Sequence, residues 1–220
     1  MSDSKPKITI KAKVPSPSPS PLPDKDTTIC PKPKITIKAK VSPPSIPLPP
    51  KGPLSLNEIR YYPSLFNAEE ATNLFQYLKT SIKWEAGIRS RNGPTRLAKA
   101  ISLDDDPLVQ WAIVQAFMRM GLGSYVIFGL YLNYYRNGTD YTPSHRHKDT
   151  VQLVISLNEP DGERSLTLDK VQYPLKNGDA IIFGDQSHGI PKVSNCGARI
   201  SLATFMRYEP SLGGRLAFLS

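Results

Sequence analysis

Apolar positions beyond residue 54 follow two different periods. Leu65-Phe66 and Leu74-Phe75-Leu78 recur at helical spacing, and Asn67 stands just ahead of Glu69 and Glu70. A capping side chain followed by acids in the first turn satisfies orphan amides and complements the helix dipole, so the pattern predicts a helix over 67–81. A second helix is predicted from Asp106-Pro107 to Met120. Proline suits its first turn, Asp104-Asp105-Asp106 lie at its positive end, and Gly121 and Gly123 stop it. Such an acidic triplet can also bind a metal, but helix capping is the preferred reading here.

From residue 125 the pattern shortens to β-branched and aromatic runs. They cover Tyr125–Tyr135, Val151–Leu157, Ser165–Leu168, Gln172–Leu175, Ala180–Phe183 and Arg199–Met206. Turn signals separate them at Asn137-Gly138, Pro160-Asp161-Gly162, Asn177-Gly178 and Cys196-Gly197. Many short strands with such turns favour an antiparallel sandwich over a parallel sheet. The expected fold class is α+β: a double-stranded β-helix (jelly roll) core with helices packed outside, preceded by a disordered arm.

The arm is residues 1–53. KPKITIKAKV occurs there twice, at 5–14 and 32–41, with Ile8, Ile10, Ala12 and Val14 alternating against Lys7, Thr9, Lys11 and Lys13. PSPSPSPLP (15–23) and SPPSIPLPPKGP (42–53) follow the copies and read as extended polyproline-II spacers. The segment holds 14 of the 22 prolines and ten lysines against three aspartates, with no arginine, aromatic or histidine. So few large apolar side chains cannot offset the entropy of ordering. Ten lysines less three aspartates give the arm +7 of the net +9, which leaves +2 for the domain expected over 54–220. The repeats read either as a solubilising tail or as basic segments that dock on phosphate backbones or a partner's sheet edge.

At 220 residues the chain has room for one domain with appendages. No run approaches the roughly 18–20 apolar residues of a membrane span, and MSDSKPKITIK lacks the apolar core of a signal peptide. Two cysteines, Cys30 and Cys196, exclude a disulfide scaffold. The expectation is a soluble intracellular monomer in a reducing compartment, cytoplasm or nucleus, without a membrane partner.

The whole chain contains three histidines. Two lie in His145-Arg146-His147-Lys148-Asp149 and the third in Gly184-Asp185-Gln186-Ser187-His188-Gly189. In an extended strand, residues 145, 147 and 149 share a face. Two ligands from one strand and a histidine from a later one suit a facial metal site, in which two imidazoles and a carboxylate leave about three open positions on Fe(II).

From Trp84 and Pro94-Thr95-Arg96 through Asn133-Tyr134-Tyr135-Arg136-Asn137-Gly138-Thr139-Asp140 to the histidines, the chain resembles the AlkB-like branch of the Fe(II)- and 2-oxoglutarate-dependent dioxygenases. The similarity continues through Leu153-Val154-Ile155-Ser156-Leu157, Tyr173 and Asn177-Gly178-Asp179-Ala180-Ile181-Ile182-Phe183. It ends with His188-Gly189-Ile190-Pro191-Lys192 and Arg199-Ile200-Ser201-Leu202. The resemblance implies Fe(II) held by His145 and His188, with 2-oxoglutarate as co-substrate and molecular oxygen as oxidant. It implies that Asn133 and Tyr135 touch 2-oxoglutarate, that Arg199 pairs with its distal carboxylate and that Ser201 adds a hydrogen bond. The family's second ligand is a carboxylate two residues after the first histidine, a place held here by His147. Two ligand sets therefore stand: His145, His147 and His188, or a pair shifted to His147 and Asp149 with His188. The AlkB pattern also has a second arginine six residues after the first, where Phe205 stands; Arg207 fills the role if a bulge intervenes.

The activity implied is oxidative demethylation of alkylated bases, with release of succinate, CO2 and formaldehyde. Segment 88–99 carries Arg89, Arg91, Arg96 and Lys99 without an acid, which suits a phosphate backbone. Tyr134, Tyr141, Tyr131 and Trp84 are the aromatics available to stack on an extruded base. The stretch from the histidines to Leu157 is short for a long substrate-gripping loop, which weakens a duplex substrate and leaves room for single-stranded DNA or RNA or for small substrates. A protein hydroxylase or demethylase of the same superfamily and a non-catalytic jelly-roll binding module are the competing readings.

Removing residues 1–53 should leave the fold intact and weaken capture of oligonucleotides. With about seven lysine–phosphate contacts, log affinity should fall against log salt with a slope of roughly −5 to −6, and truncation should flatten it. Salt titrations of both forms check this; equal slopes would assign the arm to solubility or to a protein partner.

Overall fold

A computed structural model describes residues 53–87, 89–90, 93–212 and 217–218. The repeats, the spacers up to Gly52 and the proposed disorder of the arm lie outside these residues, as do Ile88, Arg91 and Asn92 of the basic segment. Two helices and fourteen strands follow in the order β1 (Arg60–Tyr62), α1 (Ala68–Ser81), β2 (Glu85–Ala86), β3 (Arg89–Ser90), β4 (Gly93–Pro94), β5 (Leu97–Ala100), α2 (Pro107–Met120) and β6 (Tyr125–Tyr135). The remainder are β7 (Thr142–His145), β8 (Val151–Asn158), β9 (Arg164–Leu168), β10 (Val171–Leu175), β11 (Ala180–Phe183), β12 (His188–Ile190), β13 (Arg199–Tyr208) and β14 (Ala217–Phe218).

Both helices begin as their sequences dictate. Asn67 and Glu70 form a reciprocal capping box on α1, and the Asp106 carboxylate accepts from the Leu108 and Val109 amides at 2.9 and 3.0 Å. Asp106 also accepts the Tyr77 hydroxyl at 2.8 Å and so ties α1 to α2. Asp105 accepts the Ser102 amide, so this part of the acidic triplet serves caps. Gly121 ends α2 in the left-handed region at φ 64°, where a Cβ is unfavourable. Arg119 near that end donates to both oxygens of Glu70, locking the two helices end to end.

The major sheet runs β1-β11-β8-β13-β6-β5-β2, with β14 alongside β6; the minor sheet runs β10-β9-β12-β7. The pairs along both paths are antiparallel. Every residue of β8 is buried because both faces of this central strand are covered. Val151, Leu153, Ile155 and Leu157 join the helices in one core, while Val154 faces Tyr135, Leu166, Phe183 and Ile190 in a second core between the sheets. This helix–sheet–sheet stack is the jelly roll expected from the sequence, with an outer helical layer.

The short strands β1, β2, β3, β4, β5, β7, β12 and β14 have no readable period in the sequence, whereas the four-residue β11 matches its expected run. The β9–β10 hairpin turns on Asp169 and Lys170, both at positive φ, a tight-turn geometry usually signalled by Asn or Gly. One expectation needs correction: the extended strand through 145–149 ends at His145, and Lys148-Asp149 form a turn.

Asp106→Ala removes a cap to two amides and the acceptor of Tyr77. The expected cost is about 1–2 kcal/mol, read as a lowered urea midpoint at constant m.

Candidate metal centre

His145 at the end of β7 pairs directly with His188 at the start of β12, so the ladder itself sets two imidazoles side by side. His147 follows just beyond β7. One ring nitrogen from each of the three lies within 4.8 Å of the others, and the ring centroids are 4.2, 4.9 and 5.4 Å apart. His188 Nδ1 lies 3.1 Å from the Gln186 carbonyl, and His145 Nδ1 lies 2.9 Å from the Pro143 carbonyl. A carbonyl only accepts, so Nδ1 carries the proton in both rings and Nε2 keeps its lone pair for a cation. Burial pulls His188 down to about 4, with His145 and His147 adding repulsion, and burial likewise lowers His147. Both are neutral at pH 7, the form a metal requires.

Asp149 is not part of this cluster. The turn gives it φ 55°, it is exposed, and its amide donates to Asp185 at 2.8 Å. The geometry thus brings together His145, His147 and His188 and leaves Asp149 outside their group.

On β13, alternation sends Ile200, Leu202 and Met206 to the helical core and Arg199, Ser201, Ala203 and Phe205 to the space between the sheets. Arg199 is 0% exposed. Its Nε donates to Ser156 Oγ at 2.9 Å, Ser156 passes the bond to Asn158 at 3.0 Å, and neither Nη has a partner among the described residues. Its guanidinium carbon lies 5.7 Å from the Tyr135 ring centroid, and burial lowers its pKa to about 10. Arg164, which sequence reasoning missed, approaches the same ring at 5.3 Å. Its Nη groups donate to the carbonyls of Asn137, Gly138, Asp140 and Pro191. Tyr135 bonds Thr142 through its hydroxyl at 2.7 Å, Asn133 Oδ1 accepts Arg96 Nε at 2.7 Å, and Ser201 is buried opposite Asn133 and Ser156.

Arg207 is exposed. A bulge does occur beside it, but Phe205 faces Gly129 and Met206 faces Ile127, so the extra residue is Phe128 on β6. The spacing from Arg199 along β13 is therefore unchanged.

The expected stacking residues divide. Tyr134 points to the helical side, 5.1 Å from Trp84, and both pack against the outer core, which corrects the expectation that they face a substrate. Tyr141 is half-buried, with the Lys192 ammonium 4.8 Å over its ring. Tyr131 is 44% exposed and meets Phe205 edge-on at 5.4 Å; Phe205 in turn meets His147 at 4.8 Å. Phe128, exposed at 49%, lies 6.3 Å from Phe205. Phe205 and Phe128 carry no signal of this in the sequence, since only tertiary packing sets Phe205 against His147 and Phe128 beside Phe205. A depression of about 260 Å³, lined by Ser102, Asp105, Gly129 and Tyr131 among others, opens beside this aromatic edge.

No family model and no curated protein matches the chain. Solved structures match its fold. SnoN, a non-heme alpha ketoglutarate dependent epimerase from nogalamycin biosynthesis, superposes with a TM-score of 0.57 at 13% identity over 71% of this chain and 82% of its own. A Pseudomonas putida prolyl-4-hydroxylase gives 0.51 at 16% over 70% and 94%, respectively. Streptomyces hygroscopicus HygX, solved with nickel and 2-oxoglutarate bound, gives 0.53 at 8% over 69% and 83%. The chain shares the double-stranded β-helix of these enzymes.

His188→Ala removes one imidazole of the three-histidine cluster and should abolish retention of Fe(II) or Ni(II), whereas Asp149→Ala should keep it. Metal content after anaerobic loading and desalting decides; retention by the first or loss in the second would reverse the assignment.

Proposed function

We propose that this protein is an Fe(II)- and 2-oxoglutarate-dependent oxygenase, with the metal held by His145, His147 and His188 and the co-substrate's distal carboxylate paired with Arg199. The observation that carries the reading is the Arg199 guanidinium, fully buried on the face that leads to the histidines and left with two unpartnered nitrogens. A buried cation without an anion is strongly destabilising, and a planar fork matches a carboxylate bidentately. Imidazoles suit iron and nickel, so the donor set fits the metal as well. SnoN solved with Fe3+ and alpha ketoglutarate and HygX solved with nickel and 2-oxoglutarate support the same cofactors on this fold.

When bound, iron and 2-oxoglutarate supply oxidation of a C–H bond by molecular oxygen, with conversion of the co-substrate to succinate and CO2. The chain's own residues bind and orient. Ser156 fixes Arg199 through Nε, Tyr135 stacks beneath its guanidinium, and the Gln186 and Pro143 carbonyls hold two imidazoles in their metal-binding tautomer. Ser201 and Asn133 supply polar groups beside Arg199. Phe183 and Phe205 pack against His188 and His147 and exclude water from the ligands.

For the substrate we favour a methylated base in single-stranded DNA or RNA, released as formaldehyde and the demethylated base. The resemblance in motif order to AlkB-like proteins supports this, as do the exposed Phe128 and Tyr131 beside Phe205, the ring that meets His147, and the cations Arg96 and Lys99. The likeness to a prolyl-4-hydroxylase, over 94% of that chain, supports a protein substrate as the second reading.

Succinate and formaldehyde release should rise with a methylated oligonucleotide over a plain one or a peptide library; a rise with peptides alone would favour the second reading. Arg199→Ala should weaken 2-oxoglutarate by a few kcal/mol, the scale for a broken buried charge pair, with iron retained. Unchanged co-substrate affinity would overturn Arg199's role.

A further inference from the structure

Resting on this oxygenase reading, we propose that Gln152 is a further co-substrate-binding residue, donating its side-chain amide to the carboxylate at the metal end of 2-oxoglutarate. Gln152 is 2% exposed, and its Nε2 has no hydrogen-bond partner among the described residues. Alternation along β8 sends Leu153 and Ile155 to the helices and Gln152, Val154 and Ser156 to the space between the sheets. In the ladder Gln152 stands between Phe183 on one side and Phe205 on the other. Those two rings lie 4.9 Å from His188 and 4.8 Å from His147. Gln152 therefore occupies the row of the sheet directly behind the metal ligands.

The remainder of this face makes the amide conspicuous. Val154 and Ala203 are apolar, and Ser156 is engaged by Arg199 and Asn158. Among the described residues, the unpartnered buried donors of the major sheet's inner face are the Arg199 Nη groups at one end and Gln152 Nε2 at the other. Gln152 and Ser156, which holds the Arg199 head, are four residues apart, about 13 Å of backbone from which both side chains reach inward. A linear dicarboxylate, anionic at both ends, meets a donor at each. Between cationic metal and buried guanidinium, a neutral amide can fix the orientation of a carboxylate without adding further buried charge.

The experiment uses the full chain loaded with redox-inert Ni(II), with 2-oxoglutarate binding followed by calorimetry, metal content by mass spectrometry and stability by thermal unfolding. Gln152→Met keeps the volume and removes the donor; affinity should fall about tenfold, the scale of one hydrogen bond to a charged group. Gln152→Glu presents a carboxylate to a carboxylate and should reduce it further. Both should retain nickel. 2-Oxobutyrate, which keeps the keto-acid end and lacks the distal carboxylate, should lose affinity in the Gln152 variants and be indifferent to Arg199→Ala. Unchanged 2-oxoglutarate affinity in a folded Gln152 variant would overturn the proposal, as would loss of nickel in both, which makes the residue structural. Gln152→Asn, which withdraws the amide by one methylene, serves if Met and Glu do not fold. Failure of the nickel-loaded wild type to bind 2-oxoglutarate would overturn the oxygenase reading itself, and this inference with it.

Discussion

Alternation along the central antiparallel strands governs this molecule. β13 lies between β6 and β8, and each residue must point either to the helices or to the minor sheet. One side of the strand closes the helical core through Ile200, Leu202 and Met206, while the other lines the candidate site through Arg199, Ser201 and Phe205. A register slip of one residue would exchange the two sets, moving a guanidinium into the helical core and leucine and isoleucine side chains into the space that holds the histidines. The outer core thus protects the chemistry: the burial that stabilises α1 and α2 against the sheet also holds the register in which Arg199 and the histidines share a space.

Charge is distributed unevenly across that space. Arg164 and Arg199 approach the same Tyr135 ring, and only Arg164 is engaged by a set of carbonyls. The three clustered imidazoles bring no carboxylate, so a cation there adds charge rather than neutralising it. Under the proposed function, a co-substrate with a negative group at each end offsets this charge. The same reasoning explains the depressed histidines: burial with like neighbours disfavours protonation and keeps the lone pairs available at neutral pH.

Much of this was legible in advance because it rests on local physics. The capping of both helices follows from Asn67 and Asp106, whose carbonyl or carboxylate oxygens reach amides two or three residues away. The long strands announced themselves by composition, and the histidines by their scarcity. Less legible were the short strands, the Asp169-Lys170 turn, and the sidedness of the aromatics. Tyr134 and Tyr131 are equally attractive on paper, yet three residues and one strand face separate a core ring from an exposed one. The choice between His147 and Asp149 depended on whether the chain stays extended past His145, which no local preference decided.

The sequence by itself determined the fold class, the two helices with their boundaries, and the residues able to bind a metal and an oxyanion. Those features come from periodicity, capping and side-chain chemistry, which act within a few residues. Tertiary structure alone decided that Asp149 turns away, that Phe205 stands beside His147 with Phe128 next to it, and that Gln152 and Arg199 carry the orphaned donors of one sheet face. These depend on pairing between segments far apart in the chain, where register and a single bulge set which side chains meet, and that pairing is fixed by the burial of the whole sheet rather than by any neighbourhood along the sequence.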